Sequence, residues 1–214
     1  MEKKHQVHNL IILDESGSMS SVRDTIIQGF NEIVQTVKGI EKEFPEQEHF
    51  ISLISFNGLA NKLLHFIDPA SKLTEIDDKR YLPDASTPLY DAMGFGLTKL
   101  RQTLENQTNY NVLVTILTDG EENASREYSG NDIKNLVEEL KLKRWTFTYI
   151  GTDHDVEKFA RSLSITNSLK FEKNETGMKD MFRSERTARA LYSRKIRMKE
   201  DTGRGFYDRE LEEK

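Results

Sequence analysis

The chain has 214 residues, room for one full-sized domain with an appendage and short for two. Its 36 acidic and 31 basic residues leave a net charge of −5, so bulk electrostatics recruits neither nucleic acid nor an anionic membrane. With 36% hydrophobic residues, 31% charged and no cysteine, the composition predicts a folded, polar-surfaced body and excludes disulfides, thiolate metal sites and a cysteine nucleophile.

Met1-Glu2-Lys3-Lys4 resembles the basic head of an export signal, but the apolar run that follows is short and contains His8 and Asn9. It is too short and too polar for export or a membrane span, so the expected location is cytoplasmic. The run Val7 to Leu13 instead reads as a buried strand. Val22 to Ile40 carries Ile26, Ile27, Phe30, Ile33, Val34 and Val37 at three-four spacing, an amphipathic helix. His49 to Phe56 and Lys62 to Ile67 flank Asn57-Gly58 and read as a hairpin, the antiparallel edge of a sheet. Leu89 to Leu104 is helical in period, and Asn111 to Thr118 is apolar on both faces, the mark of a central parallel strand. A helix over Ile133 to Lys143, a strand over Trp145 to Ile150, a short helix over Val156 to Leu163 and a strand over Ser168 to Phe171 follow. Met178 to Met198 reads as a last helix, and the charged remainder as a loose tail. The alternation predicts an α/β fold: a three-layer, doubly wound, Rossmann-like sheet, mainly parallel with one antiparallel edge strand. The expected division is a domain over 1–172, a C-terminal helix over 173–198 packed on or extending from it, and a flexible tail over 199–214.

Open α/β sheets bind ligands beyond the carboxyl ends of their strands, and three oxygen-rich stretches fall there. "DESGS" leaves the first strand with Asp14, Ser16 and Ser18; "STPLYD" opens the Leu89 helix with Thr87; "TDG" leaves the central strand with Asp119. Two carboxylates and three hydroxyls, with no sulfur or imidazole, suit a hard divalent cation of octahedral, partly hydrated habit, Mg²⁺ before zinc. Gly17 permits the bend that turns residues 14, 16 and 18 inward.

Asp14-Glu15-Ser16-Gly17-Ser18 matches the Asp-x-Ser-x-Ser signature of the von Willebrand factor A domain, and Thr87 and Asp119 resemble that family's two other metal-site elements, in the same order. The resemblance covers roughly residues 5 to 172 and looks like the stand-alone bacterial type. It implies an intact metal-ion-dependent adhesion site: hydroxyls matching Ser16, Ser18 and Thr87 coordinate Mg²⁺, with Mn²⁺ or Ca²⁺ as alternatives, while carboxylates matching Asp14 and Asp119 act through water. It also implies a position left open for an Asp or Glu of a partner protein. Glu15, Met19, Ser86, Glu121, Glu122 and Asp153 are the expected partner-binding rim.

Each stretch also has an ordinary reading. Ser20 or Ser21 can cap the first helix, Thr87-Pro88 is a good helix start, "DG" is a common turn, and Asp153 or Asp155 can cap the Val156 helix. The metal reading rests on the combination. The expected function is a metal-dependent protein-binding module, not an enzyme, with neither nucleic acid nor membrane as partner. The alternative is a Mg²⁺-dependent phosphatase-like hydrolase using Asp14, whose chemistry asks for a second carboxylate where Ser16 stands.

Overall fold

A computed structural model describes residues 4–152 and 154–208. Six strands form one sheet: β1 (His5–Asp14), β2 (Gln47–Phe56), β3 (Asn61–Pro69), β4 (Tyr110–Leu117), β5 (Trp145–Gly151) and β6 (Asn167–Lys170). Their order is β3-β2-β1-β4-β5-β6, with only the β2–β3 pair antiparallel, as the hairpin signal predicts. Among the described residues five helices cover it: α1 (Arg23–Glu43), α2 (Leu89–Leu104), α3 (Gly130–Lys141), α4 (Val156–Ser162) and α5 (Glu175–Met198).

Strand alternation divides the core. Leu10 and Ile12 of β1 face α2, α3 and α4 together with Ile54, Val112, Val114, Ile116, Phe147 and Tyr149. Ile11 and Leu13 point the other way, joining Phe30, Ile33 and Val34 of α1 and Met178, Met181 and Phe182 of α5. Gly29 of α1 is required by this second layer, because a Cβ there would lie 2.0 Å from the Phe182 ring.

The fold therefore matches the expected three layers, with the sheet reversing its winding direction between β1 and β4. That switch point brings Asp14, at the end of β1, beside the residues that leave β4. Two local readings change. Neither Ser20 nor Ser21 caps α1: a 3-10 turn over Gly17–Val22 runs straight into it, and Val22 is its N-cap. α5 begins three residues before the expected Met178 because Asn174 caps it, accepting a hydrogen bond from the Gly177 amide at 2.8 Å.

The tail expected from 199 onward is docked as far as residue 208. Phe206 is buried against Tyr192, the Thr202 carbonyl accepts from the Thr146 hydroxyl at 3.0 Å, and the Asn167 side chain accepts from the Phe206 amide at 3.1 Å. Two aromatics in a charged stretch supply the apolar area, a contribution that charge counting hides. Residues 209–214 lie outside the described part. Among the described residues no helix is long and apolar enough to cross a membrane.

α5 meets the sheet partly through polar groups. Arg189 pairs with Glu185 at 2.9 Å and donates to Asn9 of β1 (2.9 Å) and Thr115 of β4 (2.7 Å), all buried. Tyr207 donates to the other Glu185 oxygen, tying the C-terminal segment to the same cluster. Such a pair stabilises only while both members are present. We expect Arg189→Met to cost about 3–5 kcal/mol in urea denaturation, since it strands a buried carboxylate, and Glu185→Met with Arg189→Met to recover much of that loss.

His8, buried and stacked on Phe50 with ring centroids 5.1 Å apart, has no hydrogen-bond partner, and burial lowers its pKa to about 4. The unfolded chain takes up this proton near pH 6.5 and the folded chain only near pH 4. Stability is therefore full above the higher value and lost as the pH falls through that interval. His49, lowered by burial first and then by the charge of Arg189 to about 3, acts in the same direction. Between pH 7 and 4.5 His8 alone is expected to remove roughly 2–3 kcal/mol, read as the difference in urea-derived stability between the native chain and His8→Leu at the two pH values.

Candidate functional site

The first segment of the site starts where β1 ends. Asp14 is fully buried: one carboxylate oxygen accepts the Ser16 amide at 2.8 Å, the other the Thr118 hydroxyl at 2.6 Å. Burial still raises its pKa, against the lowering effect of those two bonds, and nearby Asp119 adds to the rise. Tyr81 donates to the Asp14 carbonyl at 2.6 Å, fixing the strand end from a third side. Past Asp14 the chain turns, and the Ser16 and Ser18 hydroxyls come to 3.1 Å from one another.

The second segment is the long connection from β3 to α2. The Ala85 carbonyl accepts the Gly17 amide at 3.0 Å, and the Glu15 carbonyl accepts the Asp84 amide at 2.9 Å, so the loop carrying Thr87 lies against the loop carrying Ser16 and Ser18. Thr87 is buried, its amide donating to the Asn123 side chain at 3.0 Å and its carbonyl accepting from the Asn123 amide at 3.2 Å. The expected capping role is absent. Pro88 is the N-cap of α2, with no side-chain cap bond.

The third segment, leaving β4, closes the cluster. The Ser18 hydroxyl donates to Asp119 Oδ1 at 2.7 Å, a bond across 101 residues of sequence. Asp119 Oδ2 accepts no hydrogen bond of ordinary geometry and faces the Lys173 ammonium at 2.5 Å as an ion pair. Thr118 ties the start of this segment to the end of β1, donating to Asp14 while accepting the Gly120 amide at 3.2 Å.

The structure thus places Asp14, Ser16, Ser18 and Asp119 in one hydrogen-bonded chain, with Thr118 a second donor to Asp14 and Thr87 seated on the adjoining loop. Among the described residues no three His, Cys, Asp or Glu side chains form a metal-holding cluster, so a cation here would depend on hydroxyl oxygen.

The expected rim divides. Ser86 and Glu121 are exposed. Glu15 is not at the surface: fully buried, it pairs with Lys62 at 2.7 Å and accepts the Leu82 amide, pinning the 82–86 loop. Met19 is likewise fully buried, in the α1 core. The 3-10 turn over Gly17–Val22 directs Met19 inward, and Glu15, just past the end of β1, is turned inward to Lys62 and the Leu82 amide. Glu122 turns into its own loop, accepting from the Tyr90, Ala124 and Ser125 amides and the Ser125 hydroxyl at 2.7–2.9 Å. Asp153 lies outside the described residues. Asp155 caps α4, accepting the Lys158 amide at 3.2 Å.

Sequence reasoning missed the frame. Asp91 accepts the Arg126, Glu127 and Tyr128 amides, while Glu122 and Ser125 accept amides from the first turn of α2. This reciprocal clamp satisfies a helix start that has no side-chain cap of its own. The acidic cluster "EEN" after "TDG" was its only trace in sequence. Lys173 was missed too, because nothing in the sequence between β6 and α5 marks a lysine as facing Asp119.

The family model described as von Willebrand factor type A domain matches residues 10–185. No curated protein sequence matches. Among solved structures, the VWA domain of SpRpn10 superposes with a TM-score of 0.56 at 10% identity, covering 85% of this chain and 95% of that one. Proximal thread matrix protein 1 from the mussel byssus gives 0.56 at 12% identity, covering 87% of this chain. The match spans 47% of that protein's length. At these identities the structural likeness shows the fold alone.

The clamp predicts a measurable cost. Glu122→Ala leaves the amides of Tyr90, Ala124 and Ser125 without their acceptor and is expected to lower stability by about 2 kcal/mol. Faster amide exchange over residues 122–128 should accompany the loss, with Glu122→Gln milder in both readings.

Proposed function

The chain belongs to the von Willebrand factor type A domain family, whose members commonly mediate protein–protein interaction, and on that premise we propose that it is a metal-dependent binding module. In this reading the Ser16, Ser18 and Thr87 hydroxyls hold Mg²⁺, or Mn²⁺ or Ca²⁺ in its place, and Asp14 and Asp119 anchor its water. The ion supplies an open coordination position for an Asp or Glu of the partner protein.

The observation that carries the reading is the direct Ser18–Asp119 bond, with Ser16 at 3.1 Å from Ser18: hard oxygen donors from distant segments already meet. Their chemistry fits the group, since carboxylate and hydroxyl oxygens suit Mg²⁺ and the cluster draws positive charge, Lys173 standing at Asp119. Charge gives the ion its purpose. A chain of net charge −5 gains little from an acidic partner unless a divalent cation stands between them. Exposed Ser86 and Glu121 form the rim that the partner would touch. The cytoplasm is the proposed location, in keeping with the lack of cysteine.

The hydrolase alternative finds less support. Both Asp14 oxygens are engaged, by the Ser16 amide and the Thr118 hydroxyl, and the group is fully buried, so it is held as a positioning anion rather than a free nucleophile.

Calorimetric titration with MgCl₂ or MnCl₂ tests the proposal. We expect one site per chain, lost in Asp119→Ala and weakened roughly 10–100-fold in Ser18→Ala, with the thermal midpoint little changed because the core strands do not depend on the ion. Protein capture from lysate should be abolished by EDTA and by Asp14→Ala. Absence of metal binding at millimolar concentration, or undiminished binding by Asp119→Ala, refutes the reading.

A further inference from the structure

Lys173 stands where β6 has ended and α5 has yet to begin, and its ammonium is 2.5 Å from the buried Oδ2 of Asp119. Asp119 is fully buried at its side chain and Lys173 is one-fifth exposed, so the contact reaches from the surface into the candidate metal centre. The other Asp119 oxygen is held by Ser18. The ammonium is thus the cation already resident on this carboxylate.

The loop that carries Lys173 is braced at both ends. Phe171 donates from its amide to the Gly151 carbonyl at 3.0 Å, and Asn174 caps α5 while its side chain donates to Glu172 at 3.1 Å. The Glu172 carbonyl lies 2.4 Å from where a Cβ on Gly177 would be. Loop and first helical turn are packed so closely that displacing one disturbs the other.

We propose that Lys173 is a specificity-determining residue of this site, an internal cation that competes with the metal for Asp119 and whose displacement by the metal frees the segment at the start of α5. The inference rests on the metal-binding reading above. Its physical basis is direct: an ammonium and a divalent ion held by one buried carboxylate repel, so a metal must overcome the lysine before it is held. A weak or monovalent cation is excluded by this competition and a divalent one is admitted. Metal occupancy is thereby tied to the order of residues 172–178, because between its two braces the loop is fastened to Asp119 through this ion pair.

The test titrates Mn²⁺ alone into the native chain, Lys173→Gln and Lys173→Arg by calorimetry, with amide hydrogen exchange over residues 172–178. Lys173→Gln is expected to bind Mn²⁺ about tenfold or more tightly than the native chain, and Lys173→Arg, which keeps the charge, to remain near native affinity. Mn²⁺ should speed exchange over 172–178 in the native chain. In Lys173→Gln exchange there should already be fast and indifferent to the metal. Thermal midpoints confirm that the variants are folded, and the position is partly exposed. Equal or weaker Mn²⁺ binding by Lys173→Gln, or exchange in the native chain that ignores the metal, overturns the competition while leaving the metal site standing. No Mn²⁺ binding by any of the three overturns both.

Discussion

The burial of two carboxylates at one end of the sheet is the constraint on which the arrangement of this molecule turns. Asp14 and Asp119 leave neighbouring parallel strands at the point where the winding reverses, and neither reaches solvent to any useful extent. A buried carboxylate is costly without donors, and the donors here come from three stretches of chain: the Ser16 amide and Ser18 hydroxyl after β1, the Thr118 hydroxyl after β4 and the Lys173 ammonium before α5. Satisfying the acids therefore draws loops together that the strands alone would leave apart. The raised pKa of Asp14 shows that the donors only partly offset its desolvation.

The same logic recurs in the loops around the cluster. Glu15 is buried and ties Lys62 to the Leu82 amide, Asp91 and Glu122 exchange amide bonds between α2 and the loop after β4, and Asn123 holds Thr87. Acidic side chains that composition alone assigns to a solvated surface act as internal struts. On the opposite side of the sheet, Glu185 and Arg189 seat α5 on β1 and β4 and hold the C-terminal segment through Tyr207. α5 is thus tied to the sheet at its middle by one ion pair and linked to the candidate site at its start by another, Lys173 with Asp119.

Much of the fold was legible because hydrophobic period and turn chemistry are local. α2 spans the same residues that its three-four spacing marks, and β4 shows the two-sided apolar run of a central strand. Capping was less legible than extent: α1 follows a 3-10 turn instead of a serine, and the α2 start, where its period places it, is served by Glu122 and Ser125 from 32 and 34 residues away. At the site, the meeting of the stretches that carry Asp14, Ser16, Ser18 and Asp119 was readable from the joint pattern, whereas the inward turn of Glu15 and Met19 and the docking of Phe206 were not. Each depends on the direction a side chain takes in a bend or on a surface supplied by another element.

By itself the sequence determined the layers, the strand directions and the oxygen-rich character of the three converging stretches, because periodicity and residue chemistry are properties of neighbouring residues. Only the tertiary structure decided which oxygens touch, which acids are struts and which cation stands at Asp119. Those outcomes depend on desolvation and on distances between segments as far apart as 14, 87, 119 and 173, and no local pattern encodes them.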